Sequence, residues 1–431
     1  MSKSLTIRRP CMDKDTTTST FFECLKPLEL KNFLKDFLDL DRYVKKLTCD
    51  KWISLMILAQ LMQIPSGKQL AVKLNNTEEW QQAIKLSSIS DSQLSRKLRN
   101  TDSQILKQLF TNIVCQLKRD IQPKHHLQTM GSIYLVDAST IPLCLSLSRW
   151  ATFRPHQEKG GVKIHMRVKI LPKGVSPDDA VLQPAIHSDR SQMNELVVEK
   201  GSLYIYDRGY NDYKAFDRYC ETGISFITRL KGNAIVAEIE ELPVAPHGSI
   251  TRHARVRLGN AQNQMKHTLR LIETRDSEGN LIQLITNDEN HYSAEELGEL
   301  YRKRWQIELF FKWAKQHLQI KRFYGTSENA VYNQIWMALI TYCLLMLIQA
   351  RTKCDHPLFR VLLHVRDFLF KPFSNLVKSL HRKSTRPSKG RRRTDPEREF
   401  WRWAELVEKE GIENATAFYA EVDDYQLIDM I

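Results

Sequence analysis

Apolar positions recur at three- and four-residue spacing from Ser19 to Asp120. Phe21, Leu25, Leu28, Leu30, Phe33 and Leu34 open the pattern, Trp52, Leu55, Leu58 and Leu61 continue it, and Leu94, Leu98, Ile105, Leu109 and Ile113 close it. That period predicts a purely helical N-terminal domain, residues 1–125. Within it, Ser90-Asp91-Ser92-Gln93 reads as a capped helix start. The helix that follows would expose Gln93, Arg96, Lys97 and Asn100, as a helix seated in a DNA major groove does. An ordinary surface helix with basic residues would show the same pattern.

From Gly131 the period changes to two. Ile133–Val136 is a short β-prone run ending in Asp137, Lys163–Ile170 alternates strictly, and Val181–Ile186 follows the loop Pro172-Lys173-Gly174. A helical stretch, Ser191–Lys200, precedes Leu203–Tyr206, which ends in Asp207. Another, Tyr213–Cys220, precedes Ile224–Ile227. Residues 232–290 alternate again and contain no Trp, Tyr or Phe. They are expected to form an inserted β-subdomain. Ser293 and Glu296 then make a capping-box pattern that starts a long helix running to about Ile320, with Ile307, Phe310, Phe311, Ala314 and Leu318 as its core stripe. The order βββαβαβ followed by a helix is that of an α/β ribonuclease-H-like core, here in two parts, 126–231 and 291–372.

The remainder, 373–431, is expected to be a basic linker and a helical tail. Arg382–Arg393 holds seven basic residues and no acidic one, and Phe400, Trp401, Trp403, Leu406 and Val407 suggest a last helix. The linker reads equally as a solvated tail or as a DNA contact.

Charge narrows the partner class. A 431-residue chain with 42% hydrophobic residues can build several cored domains, and a net charge of +14 with a pI near 9.3 points to a polyanion. Nucleic acid comes before membrane, since no basic amphipathic anchor stands out. The eight cysteines are scattered without a C-x-x-C pair, which speaks against a zinc site and for a reducing compartment. No apolar leader opens the chain, and the apolar run Ile335–Ile348 is short for a bilayer span. A cytoplasmic protein with no membrane association is expected.

Chemistry gathers at three places. At about 100° per residue, Arg304, Glu308 and Lys315 fall within roughly 60° of Tyr301, so all four would share one face of the long helix. An acid, two cations and a phenol on one stripe suit a phosphate-handling surface. A solvated face with Glu308 paired to Arg304 or Lys312 is the ordinary alternative. Asp137 and Asp207 each follow a strand, where open α/β sheets place ligands, although either could serve as a turn former or cap. With Glu308 they make a candidate trio of metal-binding carboxylates.

Asp137 in Val-Asp-Ala-Ser-Thr, Asp207 in Tyr-Asp-Arg-Gly-Tyr, and the spacing Tyr301-x2-Arg304-x3-Glu308-x6-Lys315 resemble the three catalytic blocks of bacterial cut-and-paste DDE transposases with a Y-R-E-K signature, the insertion-sequence-four family. The resemblance runs from about residue 20 to about residue 350. It implies that Asp137, Asp207 and Glu308 are the catalytic residues. Hard carboxylate oxygens favour two Mg²⁺ ions, with Mn²⁺ tolerated. Tyr301, Arg304 and Lys315 would position DNA phosphates. The resemblance further implies double-stranded DNA as partner, both the element's terminal inverted repeats and the target, a homodimer in the DNA complex, and association with the bacterial nucleoid when bound. Water would cleave one strand, and the freed 3′-OH would attack next. The resemblance further implies an insertion that helps hold a DNA hairpin, in some relatives with a Trp that stacks on a flipped base. The aromatic-free 232–290 segment cannot inherit that role. A ribonuclease-H-like endonuclease without strand transfer, or an inactive DNA-binding regulator, are the competing readings.

Overall fold

A computed structural model describes residues 18–382 except 38, 122–130, 155–158, 246–247, 276–278 and 290. The basic segment after Arg382 and the tail helix around Trp401 and Trp403 lie outside the described residues. The helical pattern of the first third becomes α1 (Thr20–Leu25), α2 (Leu30–Phe33), α3 (Cys49–Leu61), α4 (Gly67–Asn75), α5 (Glu78–Ile84), α6 (Asp91–Asn100) and α7 (Ser103–Ile121). Ser19, Ser66 and Ser90 each cap a helix by accepting a first-turn backbone N–H, and at Ser90 the Gln93 side chain completes the capping box.

The strands and helices after it are β1 (Ile133–Cys144), β2 (Thr152–Arg154), β3 (Lys159–Leu171), β4 (Gly174–Pro184), α8 (Met193–Leu196), β5 (Leu203–Tyr206), α9 (Tyr213–Thr222), β6 (Ser225–Arg229), β7 (Val236–Glu241), β8 (Ile250–Leu258), β9 (Leu269–Arg275) and β10 (Leu281–Thr286). They are followed by α10 (Ala294–Arg302), α11 (Trp305–His317), α12 (Glu328–Thr352), α13 (Leu358–Asp367) and α14 (Phe373–Leu380). All ten strands join one mixed sheet in the order β3-β1-β5-β6-β10-β9-β8-β7, with β2 and β4 both pairing with β3. β1, β5 and β6 are mutually parallel, and the other pairings are antiparallel.

Three expectations change here. The strand at Ile133 does not end at Asp137 but runs on to Cys144, because β3 keeps pairing with it after β5 has stopped. The helix expected over Ser191–Lys200 is only a 3-10 turn, Asp189–Gln192, and the single turn α8, since Val197 already leaves helical geometry. The strands of 232–290 extend the same sheet rather than forming a second one, with β10 hydrogen-bonded along β6.

The sheet is covered on both faces. On one, Tyr134, Val136, Tyr204, Tyr206 and Phe226 pack with Leu196, Phe216 and Tyr219 of α8 and α9, and the Phe216 and Phe226 rings stack at 4.4 Å. On the other, Leu135, Ile141, Met166, Ile205 and Ile227 belong to a core shared with α11, α12 and the N-terminal helices. Side-chain alternation along β1 puts Asp137 on this second face with Leu135.

The helical part shares that core instead of closing its own. α3, α6 and α7 pack along α12, and the Lys118 ammonium of α7 lies 2.5 Å from the buried Asp178 carboxylate of β4, which also binds Arg167 of β3. The start of α1 is stitched to the segment before α14 by Thr20 N–H to Lys371 O at 2.9 Å and Phe21 N–H to Leu369 O at 2.8 Å. α12 is the one helix among the described residues long and apolar enough to cross a membrane, and its apolar window is wholly buried inside the molecule.

One polar residue inside α12 works as a clamp. Asn333, fully buried, donates to the carbonyls of Leu98 (2.9 Å) and Thr101 (2.8 Å), which closes the end of α6. Asn333→Ala should leave both carbonyls unpaired and cost about 2–3 kcal/mol. Chemical denaturation would read that as a lower midpoint. An unchanged midpoint would mean that the carbonyls find other donors.

His165 gives the fold an acid limit. It is fully buried on the α8/α9 side of the sheet, where Gln183 bonds its Nε2 at 2.7 Å, and burial pushes its pKa down to about 4, with Asp189 opposing. The unfolded chain protonates His165 near pH 6.5 and the native state only near 4, so stability present above pH 6.5 is lost as the pH falls through that window. The single group is worth about 3 kcal/mol across it. In a pH series of denaturation midpoints, His165→Gln should flatten the slope between pH 6.5 and 4. A slope identical to wild type would exclude His165 as its source.

Candidate active site

β1 and β5 keep parallel register from Ile133–Leu203 to Val136–Tyr206. The next residue on each chain is an acid, Asp137 and Asp207, so the two carboxylates emerge side by side where the parallel pairing ends. Asp207 opens a 3-10 turn, Arg208–Tyr210, that carries the chain off the sheet. α11 lies over this region, against β1 and β4, with Glu308 in its first turn.

The long helix expected from Ser293 is two helices. Its capping box forms as expected, but Lys303 N–H to Leu300 O, Arg304 N–H to Tyr301 O, Gln306 N–H to Lys303 O and Ile307 N–H to Arg304 O replace four-residue bonds with tighter three-residue ones. Tyr301 therefore ends α10 while Arg304 starts α11, and the four signature residues do not share one straight stripe. Glu308 and Lys315 both lie on α11, seven positions apart and so roughly 20° from one face. Ile307, Phe310, Phe311, Ala314 and Leu318 are buried as expected.

The break sets Arg304 among the acids. Its guanidinium lies 2.8 Å from Glu308 and 3.7 Å from Asp137, with a side chain only 14% exposed. Burial works against its charge, but Glu308, Tyr301, Asp137 and Asp207 more than offset it and hold its pKa above the usual guanidinium range. Asp137 is pushed up to about 7, first by burial and then by Glu308 and Asp207, with Arg304 and the Ala138 N–H opposing. Burial lifts the Tyr301 phenol to about 12 against the pull of Arg304.

The donor chemistry suits a divalent cation. Buried carboxylates in which burial first and mutual repulsion next raise one pKa, against the pull of Arg304, are a hard-oxygen set suited to a cation. Below them the buried Tyr210 hydroxyl, whose proton is held by burial and by nearby Asp137, Asp189 and Asp207, has no hydrogen-bond partner among the described residues. Yet no three His, Cys, Asp or Glu side chains among the described residues are gathered closely enough to grip one ion. Arg304 supplies the counter-charge and stands between Asp137 and Glu308.

Several residues were invisible in the sequence pattern. Trp305 carries the Arg304 guanidinium 5.3 Å above its ring, which places an aromatic residue beside the acids. Lys312, one turn beyond Glu308, is buried, and burial lowers its amine to about 8. Arg190, Lys214, Lys231 and Lys266 line a cleft of about 710 Å³ next to Asn211 and Asp212, just past Asp207. Burial, Arg190 and Arg208 press the Lys231 pKa down against the pull of Asp207, and Asp217 shares the lining with Asp212. The only sequence signal for it was scattered lysine and arginine, which strand pairing gathers.

The groove-reading set on α6 is partly overturned. Lys97 points inward to Asp41 at 2.8 Å, and Gln93 is engaged in the capping box with Ser90. An interior carboxylate and an open helix start outcompete solvent for these two groups. Arg96 and Asn100 are exposed as expected.

Residues 128–344 match the family described as Transposase DDE domain, which is half of the chain. The chain belongs to this family and is a DNA transposase. It is 30% identical over 264 residues to a probable transposase for insertion sequence element IS5377 of Geobacillus stearothermophilus, covering 61% of this chain and 68% of that protein. A putative transposase, y4zB, of Sinorhizobium fredii is 32% identical over 231 residues, 52% of this chain and 63% of that one. A structure of piggyBac transposase in a synaptic complex with hairpin DNA aligns over 87% of this chain and 84% of that one at 9% identity, with a TM-score of 0.43. The family implies a divalent metal in general.

Proposed function

We propose that the chain moves an insertion sequence by cut-and-paste transposition, with a ribonuclease-H-like core built from 126–231 and 291–372. The order β4-β3-β1-β5-β6, with β1, β5 and β6 parallel, supports that core. The observation that carries the active-site reading is the side-by-side emergence of Asp137 and Asp207 opposite Arg304 and Glu308.

In this reading Asp137, Asp207 and Glu308 would hold Mg²⁺, two ions per site. When bound, such ions activate a nucleophile and neutralise charge on the attacking and leaving oxygens. Arg304, Tyr301 and Lys315 orient the terminal phosphates. Arg304 offers a bidentate fork, Lys315 a compact charge and Tyr301 a hydroxyl donor. Arg304 does so by exchanging its carboxylate partners for phosphate oxygens. Trp305 is the aromatic residue best placed to meet a base near the cleavage point. The cation-lined cleft beyond Asp207 guides the DNA backbone toward the acids. Terminal inverted repeats and target DNA are the substrates, and two copies of the chain act together on two ends.

The test is an in vitro reaction of the purified protein with a labelled duplex from the border of the element and a supercoiled target plasmid in Mg²⁺. The expected products are cleaved ends followed by ends joined to the plasmid. Cleavage with no joined product would favour the endonuclease instead, and binding with neither would favour a regulator.

A further inference from the structure

Between α2 and α3 the chain forms a loop, 39–46, that is latched to α6. The Asp41 carboxylate accepts from Lys97 Nζ at 2.8 Å and from the Cys49 N–H at 2.9 Å, and Lys46 Nζ donates to Ser88 Oγ at 2.7 Å, two residues ahead of the α6 cap. Tyr43 stands at the outside of this loop, 88% exposed, with φ of 64°. The left-handed region disfavours bulky L side chains, and a non-glycine residue held there on a surface marks a candidate functional position. The Arg42 guanidinium lies 5.4 Å from the Tyr43 ring centroid. Its acidic neighbour Asp39, at 3.7 Å, forms only an exposed pair with it, of little strength in water.

The surroundings are cationic. Lys45 and Lys46 follow Tyr43, Lys85 ends α5, and Arg96 and Arg99 are exposed on α6, against the exposed acids Asp36, Asp39, Asp91 and Asp102, with Glu78 and Glu79 at the far end of α5. One aromatic ring among cations is a poor match for an apolar protein surface and a good one for a polyanion that presents sugars and base edges.

We infer that loop 39–46 and α6 form a single contact surface for double-stranded DNA, in which Arg42 and Lys45 meet phosphates and Tyr43 packs on sugars and base edges. This rests on the reading of the chain as a DNA-binding transposase and deepens it. The contact moves from Lys97 and Gln93, which are engaged internally, to the loop that Lys97 anchors.

The experiment uses the full chain and a fluorescein-labelled duplex in EDTA, read by anisotropy over a salt series. Tyr43→Gly relieves the left-handed backbone, so its melting temperature should equal or exceed wild type while its affinity falls about tenfold. Tyr43→Phe should bind like wild type. Arg42→Ala with Lys45→Ala should lower the log–log salt slope by about 1.8, which is about 0.9 per lost phosphate contact. Wild-type affinity in Tyr43→Gly together with an unchanged slope in the double variant would overturn the loop assignment. Failure of the unaltered protein to bind any duplex would overturn the DNA reading as well.

Discussion

Asp137→Asn, Asp207→Asn and Glu308→Gln are each expected to abolish DNA cleavage, by a factor of about a thousand or more, which corresponds to about 4 kcal/mol of barrier. The three acids stand at the point where the parallel register of β1 and β5 ends and α11 crosses it. In the proposed reading each would supply an oxygen that an amide nitrogen or neutral carbonyl replaces poorly for a hard cation. Duplex affinity should change little, because few phosphate contacts are lost. Fold should survive as well, since Asn resembles the protonated form that Asp137, with its pKa near 7, already populates. The check is a nicking assay beside a mobility shift and a melting curve. Cleavage at wild-type rate by any one variant would remove that residue from the metal site.

Arg304→Ala is expected to have the second-largest effect, and on two observables. The guanidinium is nearly buried between Glu308 and Asp137, so its removal takes away a cation that both carboxylates face. Breaking such a buried pair costs about 3–5 kcal/mol. In EDTA the variant's melting temperature should drop clearly at neutral pH, and Mg²⁺ should restore part of the loss by giving the acids another cation. Cleavage should also fall, since the phosphate fork is gone. Equal melting temperatures for the variant and wild type in EDTA would show that Arg304 balances no charge there. A fall that Mg²⁺ leaves untouched would place the loss in packing against Trp305.

The candidate site could be nominated from the sequence because its residues lie in short blocks with a fixed order and spacing. Val-Asp-Ala-Ser-Thr and Tyr-Asp-Arg-Gly-Tyr each tie an acid to a strand end, and Arg304 and Glu308 are joined by one turn of helix. Such relations are local. The break at Lys303–Arg304 was not legible, because no Pro or Gly marks it. Helical dihedrals continue through both residues, and only the bonding changes to a three-residue step.

Surface roles were the least readable part. Arg96 and Lys97 are adjacent and chemically alike, yet one faces solvent and the other is tied to Asp41, some fifty-six residues away in the chain. Periodicity assigns a face to a helix position but says nothing about which distant carboxylate will meet it. The same limit applies to Tyr43, whose exposure follows from a loop anchored by Asp41 and Lys46 to other elements.

By itself the sequence determined most element types, the caps at Ser90 and Ser293, the apolar stripe of α11 and the transposase family, since all of these depend on near neighbours and on residue chemistry. Only the tertiary structure decided that Asp137 lies within a longer strand, that the strands of 232–290 extend one sheet, and that the N-terminal helices share a core with α12. It alone also put Arg304 between two acids and gathered Arg190, Lys214, Lys231 and Lys266 around one cleft. These are long-range pairings, chosen by which surfaces bury best against each other, and burial between distant segments leaves no local pattern to read.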